Sequence, residues 1–142
     1  MNEFLCVRDL AYETSNGTVT VKVAVGRPRQ KGEGEYLCPF QIAGLDDSEV
    51  QHAYGIDCFQ ALILALDGIR SNLEKSGKTF TWAGGEKGED GFPRFVPLSF
   101  GMEFSRHLDE IIESEITFFA GVTERMHERQ KGTKRGLPGT KE

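Results

Sequence analysis

The chain has 142 residues, with 22 acidic against 17 basic side chains and a net charge of −5. This length suits one domain that hides roughly 70% of its surface on folding and needs no disulfide or metal as a staple. The charge argues against a nucleic-acid binder working through a broad basic face. No run of about 18 apolar residues is available for a membrane span, and Met1-Asn2-Glu3-Phe4 lacks the basic start and apolar stretch of a signal peptide. Three widely spaced cysteines, Cys6, Cys38 and Cys58, read as buried small hydrophobes of a reducing compartment, so the expected location is the cytoplasm.

Residues Phe4 to Glu13 predict a first strand, and Asn16-Gly17 is a dipeptide that tolerates the positive φ of a tight hairpin turn. Val19, Val21, Val23 and Val25 then alternate with Thr18, Thr20, Lys22 and Ala24, which predicts a second strand with one apolar face. The polar, glycine-bearing stretch from Arg27 to Glu35 predicts an exposed loop. A third strand follows from Tyr36 to Leu45, with Tyr36, Cys38, Phe40 and Ile42 on one face and Pro39 at an edge or bulge. A short helical turn is expected within 47–54.

Asp57-x-x-Gln60 has the spacing of a capping box, so a helix is expected to start here and to stop at Gly77. Its apolar stripe of Phe59, Leu62, Ile63, Leu66, Ile69 and Leu73 is expected to pack on the valine face, with Phe59, Leu62, Ile63 and Leu66 buried. Thr79 to Trp82 predicts a short strand, Gly84 to Gly91 a mobile loop, and Phe92 to Pro97 an extended segment that its two prolines keep from being helical. A second helix from about Met102 carries a stripe of Phe104, Leu108, Ile111, Ile112, Phe118, Phe119, Val122 and Met126, expected to be buried. The predicted architecture is α+β: an antiparallel meander of three strands, plus one or two later short strands, packed against two α-helices. One domain is expected over 1–127. A disordered basic tail is expected over 128–142, since from Arg125 onward six Lys or Arg stand against two Glu among glycines and a proline.

Motifs for chemistry are sparse. The Gly84–Gly91 loop is not followed by a helix and carries Glu86, Glu89 and Asp90, so it does not suit a phosphate, and its acids miss the calcium-loop spacing. Glu103, His107 and Glu110 share one helical face, but no second histidine completes a metal set, and a solvated face accounts for them. No nucleophile elbow or Cys-x-x-Cys occurs; Cys58 near a helix start reads as a half-buried packing residue. No cofactor and no metal are expected. Trp82, Phe92, Phe95 and Arg94 around the glycine loop have the composition of a protein-binding hot spot, with Arg94 the residue that is hardest to place in a core.

Four stretches carry a resemblance. They are Gly26-Arg27-Pro28-Arg29, Cys38-Pro39-Phe40, the run from Tyr54-Gly55-Ile56-Asp57 through Phe59-Gln60-Ala61-Leu62 to Leu64-Ala65-Leu66, and Thr81-Trp82-x-Gly84-Gly85 with Gly91-Phe92-Pro93-Arg94. Together they resemble a family of small bacterial proteins described only as a domain of unknown function, over roughly residues 4 to 97. The resemblance implies no activity, cofactor or catalytic residue. A weaker likeness, at the level of fold, is to βββ-α antitoxin domains.

Two readings result. The first is a non-enzymatic protein-binding module, immunity- or antitoxin-like, expected to meet a protein partner of basic character through Glu86, Glu89, Asp90 and Arg94, with no nucleic acid and no membrane. The second is an enzyme or binder of a small anionic ligand, with Arg27, Arg29, Arg94 and His52 converging on a carboxylate or phosphate.

Overall fold

A computed structural model describes residues 3–46 and 48–135, the side chains of Leu98, Lys134 and Arg135 excepted. Strand β1 (Phe4–Thr14) turns through Asn16-Gly17 into β2 (Gly17–Gly26), in a register that sets Leu10 opposite Val21 and Tyr12 opposite Val19. The alternating valines therefore share a face with Arg8, Leu10 and Tyr12. Strand β4 (Glu35–Ala43) pairs the other side of β2, with Phe40 opposite Val25 and Ile42 opposite Val23. Val21, Val23, Cys38 and Ile42 are buried on that common face.

Two strands have no sequence signal. β3 (Arg29–Gly32) is exposed throughout and alternates nothing apolar; main-chain pairing with Tyr36 and Leu37 of β4 holds it. β5 (Gln51–Gly55) stands where a helical turn is expected: it takes the remaining edge of β4, with Ala53 opposite Cys38 and His52 opposite Pro39. Asp47, where that turn was to begin, lies outside the described residues. Pro39 sits where the β4 ladder with β2 ends and that with β3 begins, a break that tolerates a residue without an N–H. With β6 (Thr81–Trp82) on the free edge of β1, the order is β3-β4-β2-β1-β6, β5 lying also on β4. The architecture is α+β, an antiparallel six-stranded sheet with two helices among the described residues.

Helix α1 (Cys58–Lys75) begins as its spacing predicts. Asp57 Oδ1 accepts from the Gln60 amide at 2.7 Å, and Gln60 Oε1 accepts from the Ile56 amide at 2.8 Å, one residue before the cap. Its buried side agrees with the expected stripe at Ile69 and Leu73 and departs from it at Phe59 and Ile63. Ala61, Ala65, Ile69 and Leu73 face the sheet, Leu62 and Leu66 are partly buried, and Phe59 and Ile63 are 74% and 43% exposed. The sheet supplies the reason. A Cβ on Gly68 would stand 2.9 Å from the Phe40 ring, so β4 supplies the bulk at that point of the helix, while Ala61, Ala65, Ile69 and Leu73 fill the rest of the face.

The chain divides into two compact units, Met1–Phe95 and Val96–Glu142, where the sequence predicts one domain to 127 and a tail. In the second, a 3-10 turn (Leu98–Phe100) leads into α2 (Gly101–Arg135). The helix passes the expected boundary because Glu128, Arg129, Gln130 and Lys131 are good helix formers and no proline intervenes before 138. Residues 136–142 of the expected tail lie outside the described residues. The stripe on α2, expected to be buried, is open: Phe119 is 62% and Met126 58% exposed. No helix among the described residues is long and apolar enough to cross a membrane.

Candidate functional site

The site grows from one inward-pointing charge. Arg8 occupies the position on β1 that continues the Leu10 and Tyr12 face, and it cannot enter the core as an apolar residue would. Its guanidinium instead lies between two aromatic rings, 4.4 Å from the Trp82 centroid and 4.9 Å from that of Phe92. Nη1 donates to the carbonyls of Gly91 at 2.8 Å and Asp90 at 3.3 Å. Arg8 thus ties together the two ends of the segment between Trp82 and Phe92.

That segment is closed by its own bonds, contrary to the mobile loop expected. The Trp82 amide donates to the Glu89 carbonyl at 3.0 Å, the Gly85 amide to the Trp82 carbonyl at 3.1 Å, and the Gly88 amide to Thr81 Oγ1 at 2.9 Å. Glycine is required for contact with the indole. A Cβ on Gly85 would stand 2.6 Å from Trp82 Nε1, and one on Gly91, at φ +75°, 2.6 Å from Arg8 Nη1. Trp82 Nε1 itself is buried without a hydrogen-bond partner among the described residues.

The three acids divide by role. Glu89 Oε2 accepts from the Glu86 amide at 3.1 Å and Asp90 Oδ1 from the Phe92 amide at 2.8 Å, so both carboxylates stabilise the loop. The Glu86 carboxylate is exposed and makes no such bond. Arg94 is exposed two residues beyond Phe92. Beside the loop runs a cleft of about 640 Å³, floored by Phe80 and Phe92. Its rim carries Arg70 and Glu74 of α1, which pair with each other, together with Lys78, Glu89 and Asp90.

The alternative set is spread along the chain. Arg29 lies on β3, His52 on β5, Arg27 between β2 and β3, and Arg94 after β6, and all four are exposed. Arg29 opposite Leu37 and His52 opposite Pro39 do share one face of the sheet, on strands either side of β4. Glu103, His107 and Glu110 are exposed on α2, and no group of three or more His, Cys, Asp or Glu among the described residues is placed to hold a metal. Of the cysteines only Cys38 is buried, and burial pushes its thiol up to about 11; Cys6 and Cys58, expected to be packed, are exposed. Cys6 lies near the start of β1, before the residues that pair with β6, and Cys58 is the first residue of α1.

Residues 6–94 match the model of a domain of unknown function, DUF6968. The chain belongs to this family. The match ends at Arg94, so the DUF6968 region takes in Arg8, the loop, the cleft and the whole sheet apart from the first residues of β1. No curated protein and no solved structure matches the chain. The stretches that carry the resemblance now have structural roles: Trp82, Gly85 and Gly91 belong to the Arg8 stack, and Gly26 lies against the Pro39 ring. Arg8 was missed in the sequence. The available signal was a charged residue in the inward register of an alternating strand, two positions before Leu10.

Proposed function

We propose that this DUF6968 protein is a non-enzymatic protein-binding module of the bacterial cytoplasm, immunity- or antitoxin-like, that receives its partner at the Gly84–Gly91 loop, Arg94 and the adjoining cleft. The observation that supports this most is the loop closed by Arg8. A partner meeting a preset surface does not have to order it, and this raises affinity. The cleft has the size of a site for an anchoring side chain, its aromatic floor offers apolar contact, and the exposed Glu86 at the loop tip favours a basic approach. Affinity capture from the native cell supplies the partner, and kinetics then test the surface. Glu86→Lys is expected to slow association in a salt-dependent way, and Arg94→Ala to speed dissociation about 5- to 30-fold. Unchanged kinetics in both variants would remove the proposal. Serine at all three acids is a poorer test, because Glu89 and Asp90 hold the loop.

One observation favours a second reading. Arg29 and His52 lie on one face of the sheet, and Lys31 stands 5.1 Å from the Tyr54 ring centroid beside them, a basic group suited to a small anion. Calorimetric titration with phosphate and simple carboxylates decides it: heat that disappears in Arg29→Ala supports the anion site, and no heat excludes it for these probes.

A further inference from the structure

Helix α2 poses a problem of its own. Its 35 residues span about 52 Å, and its apolar stripe is exposed, with Ile112 at 48% and Phe118 at 59%. Two properties of the helix point to what covers that stripe. The charge is polarised: residues 101–117 carry five acids against one Arg, and 118–135 carry five Lys or Arg against two Glu. The helix dipole favours this order only within the first and last turns, so it does not account for Glu113 and Glu115 near the middle. The apolar residues of the stripe, which leaves out Met102 and Ile116, are also placed symmetrically about Glu115. Leu108 and Val122 lie equally far from it, as do Ile111 and Phe119, and Ile112 and Phe118. Phe104 and Met126 extend the same symmetry by another turn.

We infer that α2 is the interface for a second copy of this chain, the two helices lying antiparallel across a two-fold axis at Glu115. A self-complementary patch of this kind requires each residue to meet its mirror position, and the symmetric stripe meets that requirement along about six turns. Antiparallel pairing sets the acidic half of one helix beside the basic half of the other, whereas parallel pairing opposes like charges. Glu115 lies in the centre of the stripe, where apolar packing would be tighter. It comes close to its own copy at the axis, and this weakens the pair.

Sedimentation of the full chain at micromolar concentrations is expected to give twice the chain mass, reverting to monomer in Phe119→Glu with the melting of the first unit unchanged. Glu115→Leu is expected to tighten the dimer, and Arg125→Glu with Arg129→Glu and Lys131→Glu to weaken it at least about tenfold. Direction is read by oxidative crosslinking in a Cys6→Ser, Cys58→Ser background. A mixture of Leu108→Cys and Val122→Cys chains should give the mixed disulfide, and predominance of the like-with-like disulfides would replace the antiparallel pair by a parallel one. A monomer at 100 times the tested concentration, or a dimer indifferent to Phe119→Glu, would overturn the inference.

Discussion

The two helices have apolar residues at the same periodicity but in opposite environments. On α1 the small residues Ala61 and Ala65 go inward, and the bulky Phe59 and Ile63 are left outside. On α2 bulky and small apolar residues alike have no sheet from their own unit beneath them. The difference shows that a helical stripe identifies a face without identifying its partner. A sheet that already carries Phe40 and Val23 takes small residues at Ala61 and Ala65 and large ones at Ile69 and Leu73, whereas a helix meeting another helix interlocks large residues along its length.

A matched substitution gives the largest expected contrast. Ile69→Ala, at 0% exposure, should cost about 2–5 kcal/mol in denaturant unfolding. Ile112→Ala, at 48% exposure, should cost the first unit nothing and show instead as concentration-dependent mass. Equal losses at the two sites would break the comparison. Next in size is Arg8→Ala, which removes two hydrogen bonds from a charged donor and both ring contacts and should cost about 1.5–3 kcal/mol. Hydrogen exchange should rise at the Gly85 and Gly88 amides in that variant, and unchanged protection there would mean the loop holds itself.

Asp57→Ala should lose about 0.5–2 kcal/mol, because the Gln60 amide loses its acceptor at the start of α1. That cap was legible in the sequence because both partners lie within four residues of each other. Phe59→Ala sharpens the comparison from the other side: at 74% exposure it should change stability by no more than about 0.5 kcal/mol, although its spacing suggests a core residue. The cysteines give the smallest effect. A thiol reagent should label Cys6 and Cys58 in the native protein and Cys38 only on unfolding. Since burial raises the Cys38 pKa to about 11, its contribution to stability is full below the unfolded thiol's value near 9 and is lost as pH rises through that window.

Local order determined what the sequence shows by itself. The Asn16-Gly17 turn, the valine alternation of β2 and the Asp57 cap follow from interactions between residues a few positions apart, and their elements formed as that spacing requires. The tertiary structure alone decided the rest. β3 and β5 exist because β4 offers them hydrogen-bonding edges, an influence that leaves no apolar pattern in Arg29–Gly32 or Gln51–Gly55. The Phe40 ring limits what α1 can carry at Gly68, and Arg8, more than 80 positions away from Asp90 and Gly91, adds to the loop's own bonds. Such contacts depend on volume and on long-range register, and neither is encoded within the window that periodicity reads.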